Sequence, residues 1–276
     1  MNTLTGLADL FGIRAVLIGL MIFVPLERLF SLHPEQAILR KGLFTDFCYA
    51  TLNSLLGNIL AAFLLVNAIS AAAALLPLQI AQTVAGQSLW VQVLEVVIIT
   101  DLGVYIAHRM FHAVPFLWRF HSIHHAVVEM DCLAAFHTHP VDLIVTKSMA
   151  LLPVFFLGFS GQAVFIYYLI YVTHAMLIHA NVRLNFGPLR WLIASPQFHH
   201  WHHANERKAY DKNFAGQLAI IDLIFGTYRV PTASMPAKYG VDEGIPSSYF
   251  GQVGHPFIRS ERASAKTESV PSTKAA

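Results

Sequence analysis

The longest uncharged stretch of the chain limits what it can fold into. No Asp, Glu, Lys or Arg occurs from Phe47 to Leu94. A helix that spans a bilayer needs about 20 apolar residues, and a chain in hydrocarbon must satisfy its backbone hydrogen bonds internally. The stretch is long enough for one full membrane helix and the start of another. We therefore expect a protein that is embedded in a membrane through helices.

The composition supports this class and argues against others. The chain is 55% hydrophobic and only 12% charged, whereas soluble domains carry about 25% charged residues. A formal net charge of +2, without a basic cluster interleaved with aromatics, gives no reason to expect a nucleic-acid partner. Cys48 and Cys132 form no CxxC pair, so we predict neither a thiolate metal site nor a disulfide framework.

Five apolar segments are expected to form membrane helices. They cover about 11–30, 46–77, 88–107, 143–160 and 161–180. The first resembles the core of a signal peptide, but Glu27 and Arg28 follow it and no small-x-small cleavage site does, so we interpret it as a membrane helix. Gly158, Ser160 and Gly161 separate the last two, which predicts a helical hairpin.

Basic residues predict the orientation of these segments. Lys and Arg follow the first, third and fifth segments, whereas the loop at 78–87 has none. Cytoplasmic loops carry an excess of Lys and Arg. We therefore expect an integral, multi-pass membrane protein whose basic loops, together with the histidines near them, lie on the cytoplasmic side.

Histidines carry the strongest chemical signal. Thirteen of the 15 lie between His108 and His203. Three clusters read His108-x-x-x-His112, His121-x-x-His124-His125 and His199-His200-x-His202-His203. Residues three and four apart share one face of a helix, so each cluster can direct imidazoles to one side. Neutral imidazole binds iron, zinc, copper and nickel.

The number of clustered imidazoles predicts how many ions bind. The clusters supply eight imidazoles when His199, and not His200, is counted in the third. One metal ion offers about four to six positions, so eight ligands indicate two ions. A single HxxxH would favour a structural role, but three such clusters in one apolar chain favour metal binding. The count does not identify the metal.

Other families of metal sites fit the residues less well. A zinc protease of the HExxH type needs Glu after its first histidine, and Arg109 follows His108 here. A site of two histidines and one carboxylate would use only two of the eight clustered histidines. Carboxylate-bridged bundles need ExxH motifs, which the sequence lacks.

The segments around the clusters resemble the fatty acid hydroxylase/sterol desaturase superfamily. The similar segments are Asp101–His125, Phe136–Asp142 (FHTHPVD), His179–Asn181, Ser195–His203, Asn213-Phe214 and Asp222–Thr227. The resemblance implies a non-haem di-iron centre held by histidines on the cytosolic face of a helical membrane domain. It also implies O2-dependent hydroxylation or desaturation of a lipid such as a fatty acyl chain or sterol.

The resemblance assigns ligands residue by residue. The implied metal ligands are His108, His112, His121, His124, His125, His179, His199, His202 and His203. Residues that the resemblance or their position marks as supporting groups or additional ligands are Asp101, His139, Asp142, His174 and Asn181. Asp142 stands where Glu is common in the family. No separate acid or base residue is assigned.

Two of the supporting residues leave alternatives open. Asp101 lies two helical turns before His108, where its carboxylate can accept from a ligand imidazole or pair with a cation such as Arg109. Asn181 can orient a ligand or bound water, or it can cap a helix. His33 and His255 lie outside the clusters, and we assign them no role.

The remaining expectations concern partners and rival functions. The chain carries no CxxC cluster, haem domain or GxGxxG motif, so the electrons are expected from an external ferredoxin or cytochrome with its reductase. A membrane di-zinc hydrolase acting on a lipid is the alternative enzyme. A metal carrier is a third class, but its ligands should lie within the membrane spans.

These observations predict the fold class and the domains. We expect an all-α, polytopic membrane helical bundle with a cytosolic, histidine-rich cap. Residues 1–94 would form N-terminal membrane helices, and 95–230 a catalytic domain of membrane helices and cap. Residues 231–276 would form a C-terminal extension that is disordered from about 259.

Overall fold

A computed structural model describes residues 12–231 and 235–258. Over these residues the chain is helical, with two isolated β-bridges, Ser31–Val182 and Ala204–Tyr239, and no strand. This confirms the all-α class that the apolar pattern predicted. The tail from about 259, predicted to be disordered, lies outside the described residues.

The described part of the chain contains ten α-helices. They are α1 (Ile13–Leu29), α2 (Leu43–Leu75), α3 (Leu78–Gly86), α4 (Leu89–Ala113), α5 (Pro115–His125), α6 (Pro140–Leu157), α7 (Gly161–His179), α8 (Pro196–His202), α9 (Ala219–Ile224) and α10 (Tyr249–Gly254). Short 3-10 turns cover Cys132–Phe136, Gly187–Trp191, Arg207–Ala209 and His255–Phe257.

Four of these helices, α2, α4, α6 and α7, are long and apolar enough to cross a membrane. The second apolar segment is one unbroken helix of 33 residues, roughly 50 Å long at 1.5 Å per residue. It therefore exceeds the roughly 30 Å of the hydrocarbon core. The first apolar segment forms α1, whose 17 residues lie at the lower limit for a spanning helix.

Helices α2 and α4 both pack against α6, and α7 packs against α4. A Cβ atom at Gly103 of α4 would lie 2.6 Å from the backbone oxygen of Met149 in α6. Only glycine permits this approach of the two backbones, as at other small-residue crossings in membranes. The crossing fixes α4, which carries the first histidine cluster, against α6.

The last two predicted spans are α6 and α7, which a short turn joins. Gly158 ends α6 with φ 79°, a left-handed conformation that favours glycine. Ser160 then starts α7, and its Oγ accepts a hydrogen bond from the Ala163 backbone N–H. The turn residues read from the sequence therefore act as helix caps.

The cap comprises α5, α8, α9 and the loops that join them. Its core contains Phe198, Phe214 and Ala219, which pack against Tyr105 of α4 and Ile178 of α7. Burial of these side chains fixes the cap onto the ends of two membrane helices. The packing brings the three histidine clusters, on α4, α5 and α8, to one place.

Candidate metal centre

The nine histidines predicted as ligands lie together in two groups. The five-histidine group contains His108, His112, His121, His125 and His202. The four-histidine group contains His124, His179, His199 and His203. Within each group, one ring nitrogen from every residue lies within 4.8 Å of all the others. Each group therefore has the dimensions of a site for a single metal ion.

The two groups are built from i,i+4 pairs. His108 and His112 face the five-histidine group together, as do His121 and His125, whereas His199 and His203 face the four-histidine group. The middle histidine of each HxxHH motif, at i+3, belongs to the opposite group: His124 and His202 change sides. This corrects the expectation that each cluster serves one point, because positions i+3 and i+4 are about 100° apart around a helix.

The five-histidine group directs ring nitrogens without hydrogen-bond partners toward its centre. The Nε2 atoms of all five residues are buried and have no hydrogen-bond partner. His108 Nδ1 donates to the Phe214 oxygen at 2.7 Å, and His202 Nδ1 donates to the Lys212 oxygen at 2.8 Å. A nitrogen that donates to a carbonyl carries the proton, so the Nε2 of the same neutral ring has a free lone pair.

Two carboxylates support two of the three remaining rings of this group. Asp142 lies 2.6 Å from Nδ1 of His121, and both side chains are about 5% exposed. Asp211 lies 3.3 Å from Nδ1 of His112, but its own side chain is 72% exposed. Asp142, which the FHTHPVD segment marked as a supporting group or additional ligand, thus contacts a histidine of this group. Asp211 was not predicted.

The four-histidine group brings its Nε2 atoms face to face. His199 Nε2 lies 2.9 Å from His179 Nε2 and 3.0 Å from His203 Nε2, and His124 Nε2 lies 3.4 Å from that of His179. His124 Nδ1 donates to the His137 oxygen and His179 Nδ1 to the Ala175 oxygen. At least two of these rings thus direct bare lone pairs to a common point.

Burial keeps the cap imidazoles neutral. It lowers the pKa of His124 to about 4 and holds the pKa values of His121, His125, His199, His202 and His203 well below the usual 6.5. Nearby imidazoles lower most of these values further, since two cations in one site repel. Neutral imidazole is the form that coordinates a metal.

Asp101 makes neither of the contacts expected for it. Its carboxylate accepts from the backbone N–H groups of Gly216, Gln217 and Leu218 at 2.6–3.0 Å. Those amides lie two to four residues after Phe214, whose oxygen accepts from His108. Asp101 therefore anchors the loop that orients a ligand, and does not touch the ligand itself. No local pattern could have revealed a partner more than a hundred residues away.

Asn181 likewise serves a different purpose from those expected. Its Oδ1 accepts from the His33 backbone N–H at 2.8 Å, and its Nδ2 donates to the His33 oxygen at 3.1 Å. It thereby ties the loop after α1 to the end of α7. Neither ligand orientation nor helix capping describes this contact.

Three further histidines lie outside both groups. His139 caps α6, since its Nδ1 accepts from the Val141 N–H at 3.0 Å. His174 Nε2 donates to the Ala194 oxygen at 2.8 Å. Neither of these two residues, predicted as supporting groups or additional ligands, belongs to the two histidine groups. His200 contacts the Tyr239 hydroxyl at 2.8 Å and the Ala180 oxygen at 3.1 Å, which favours His199 as the ligand of the third cluster.

Sequence reasoning missed a buried ionic network beside the four-histidine group. Arg40 pairs with Asp131 and Asp46, and Asp46 contacts Nδ1 of His137. The His137 carbonyl in turn orients His124. A signal was available, because Arg40 and Asp46 flank the start of an uncharged membrane helix, where buried charges need partners.

A cavity of about 180 Å³ opens onto both groups. It is bordered by His108 and His121 of the five-histidine group and by His124, His179 and His199 of the four-histidine group. From there it runs between the membrane helices, along Val104 of α4, Leu143 of α6 and Val172 of α7, among others. A site of this form can hold an apolar chain against the two histidine groups.

Comparison with known proteins shows which family the region around this site is similar to. Residues 93–227, which hold all nine histidines, match the fatty acid hydroxylase family. The match confirms the resemblance read from the histidine motifs. No solved structure matches the chain significantly.

Three relatives illustrate the range of proteins that share the region. An ornithine lipid hydroxylase of Rhizobium tropici is 28% identical over 172 residues, 62% of this chain and 52% of that protein. Human alkylglycerol monooxygenase is 33% identical over 152 residues, 52% of this chain and 32% of that protein. A very-long-chain aldehyde decarbonylase of Oryza sativa is 31% identical over 160 residues, which are 53% of this chain and 25% of that protein. The chain thus spans about half the length of these relatives, or less.

Proposed function

We propose that this chain is a membrane-bound, O2-dependent lipid hydroxylase with a non-haem di-iron centre. In this proposal each histidine group holds one iron ion, and a fatty acyl chain, a sterol or another lipid is the substrate. The observation that carries the proposal is the convergence of nine histidines on two points. Five Nε2 atoms without partners face one point, and four Nε2 atoms that lie against one another face the other. The names of the relatives support lipid oxygenation as the reaction.

The histidine groups fit such a metal by two criteria. A buried nitrogen without a partner costs about 1–3 kcal/mol, and the five-histidine group alone collects five of them. A bound cation would satisfy all five at once, whereas water has at most four partners. Imidazole is also a good ligand for iron. When bound, the iron pair would supply O2 activation and the transfer of oxygen to a C–H bond.

The chain's own residues would prepare the reaction. Asp142 and the carbonyls of Phe214, Lys212, His137 and Ala175 hold the Nδ1 protons of their partner histidines. This fixes the rings with Nε2 inward and increases the basicity of that nitrogen. The apolar walls of the cavity would exclude water and hold the target carbon close to the histidines.

Metal analysis combined with an oxygenation assay tests the proposal. The purified protein, reconstituted with iron under anaerobic conditions, should bind close to two irons per chain. With reductant and an external ferredoxin or cytochrome system it should consume O2 and form a hydroxylated or desaturated lipid, detected by mass spectrometry. Stable binding of zinc with lipid hydrolysis that needs no O2 would favour the di-zinc hydrolase. A saturating value of one metal per chain would contradict the two-site assignment.

We also propose that the histidine groups face the cytoplasm. The Lys and Arg asymmetry supports this side, as does the connection of α2 to α4 through the short helix α3. Single cysteines introduced at Glu206 in the cap and at Gly86 in α3, in a chain without Cys48 and Cys132, should be labelled from opposite sides of the membrane. Labelling from the same side would refute this topology.

A further inference from the structure

The cavity beside the histidine groups contains one cation that the proposed metal chemistry does not use. Lys147 lies near the middle of α6 and borders the same cavity as His121 and His124. Its ammonium points toward α2, where it lies 3.0 Å from the position that a Cβ atom of Gly57 would occupy. Glycine at this position leaves space for the charged end of the side chain.

Lys147 has no anionic partner in the described part of the chain. The ion pairs there involve other residues, and Lys147 takes part in none of them. Asp142 borders the same cavity, but its carboxylate already accepts from His121 and from the Thr146 hydroxyl at 3.0 Å. A charge inside a membrane segment is costly and usually marks a functional position. An anion from outside the chain would neutralise it.

The surroundings of Lys147 are suited to a polar headgroup. Asn53 of α2 borders the cavity. Its Nδ2 donates a hydrogen bond to the Thr138 oxygen at 2.6 Å. The other terminal atom of this amide is therefore the acceptor Oδ1. That Oδ1 is buried and has no partner. The part of the cavity near α2 therefore combines a free cation with a free acceptor, whereas Val172 and Leu143 line apolar walls.

The distance to the histidines is short. Lys147 follows Asp142 by five residues in one helix, roughly 7.5 Å along the axis, and Asp142 contacts His121. A lipid whose anion lies at Lys147 would therefore place atoms close to its own headgroup beside the histidine groups.

We infer that Lys147 is a specificity-determining residue that binds the anionic group, a carboxylate or phosphate, of the lipid substrate. This inference rests on the proposed function, since it names the substrate class of the same cavity. The Asn53 oxygen would accept from a donor on the same headgroup, such as an amide N–H or a hydroxyl.

Binding to the metal-loaded full chain in phosphatidylcholine nanodiscs tests this without turnover. The probes are N-palmitoylglycine, which has a carboxylate and an amide N–H, its neutral methyl ester, and palmitoyl lysophosphatidic acid. Wild-type protein should bind N-palmitoylglycine about tenfold or more tightly than the ester, because a charge-assisted hydrogen bond is gained. If palmitoyl lysophosphatidic acid also binds more tightly than the neutral ester, phosphate is accepted as well.

Three variants locate the effect. Lys147→Met should lose the preference for the acid over the ester and keep the affinity for the ester, whereas Lys147→Arg should retain most of the preference. Lys41→Met, at an exposed lysine, should leave it unchanged and is the matched control. Metal content reports whether each variant has folded. Equal binding of acid and ester by the wild type, or a preference that survives in Lys147→Met, would overturn the inference.

A turnover assay separates this inference from the proposed function. Oxygenation of lipids without any preference for the anion would leave the proposed function intact and refute the role of Lys147. A preference that depends on Lys147 in a protein that oxygenates no probe would support the anion site and contradict the hydroxylase assignment.

Discussion

The two histidine groups are neighbours, but they are supported differently. In the five-histidine group four Nδ1 atoms are fixed, two of them by the carboxylates of Asp142 and Asp211 and two by backbone carbonyls. In the four-histidine group only His124 and His179 have such partners, both carbonyls. The Nδ1 atoms of His199 and His203 are buried without a partner.

The groups also differ in their contact with the cavity. Three of the four histidines in the smaller group border it, against two of the five in the larger group. A site with fewer ligands keeps more positions for exogenous molecules, as in catalytic metal sites elsewhere. We therefore expect the four-histidine group to be the more open one, and the five-histidine group to bind its metal more firmly.

The largest effects are expected from the two residues that cross between the groups. His202→Ala removes a ligand from the five-histidine group and His124→Ala removes one from the four-histidine group. Each should abolish turnover, leave the chain inserted in the membrane, and lower the metal content from two toward one. Elemental analysis of the purified variants measures this, with His255→Ala as a silent control. If neither variant changes metal content or turnover, the di-metal assignment fails.

A smaller effect should separate the two carboxylates of the five-histidine group. Asp142→Asn should reduce metal affinity or turnover by about 10–100-fold, as is typical for a buried group that orients a metal-binding histidine. Asp211→Asn should have little effect, because an exposed charge is screened by solvent. Metal titration of both variants makes the comparison. Equal losses would show that Asp142 has no special orienting role.

The ionic network of Arg40, Asp46, Asp131 and His137 should contribute to the free energy of unfolding. Asp46→Asn weakens the contacts that Asp46 makes with Arg40 and His137, and loss of one partner of a buried pair costs about 3–5 kcal/mol. Asp131 still pairs with Arg40, so we expect the lower end of this range. Denaturant unfolding in detergent measures it, and Glu206→Gln, at a partly exposed pair with Lys208, should change stability by less than about 1 kcal/mol. A loss as small as that of the control would contradict the network's role.

The sequence was sufficient for four of the five expected membrane helices and for the identity of the nine clustered histidines. Charge-free length indicates spans, and Gly158 and Ser160 mark a turn, because these signals are local. The sequence was not sufficient to assign each histidine to one of the two groups. Whether His124 shares a group with His121 depends on where α7 presents His179, which is a tertiary contact. The partners of Asp101 and Asn181 escaped prediction for the same reason.

The smallest effect on metal content is expected from substitution of His200. This substitution tests which histidines of the third cluster are ligands. His200 is buried, but its nitrogens contact the Tyr239 hydroxyl and the Ala180 carbonyl and do not face either group. His200→Ala should therefore keep both metals, while losing about 1–3 kcal/mol of stability from the broken hydrogen bonds. Tyr239→Phe removes one of these bonds without changing any imidazole, and it should also keep both metals. His199→Ala should lose the metal of the four-histidine group. If His200→Ala loses metal while His199→Ala retains it, the assignment of ligands in the third cluster is wrong.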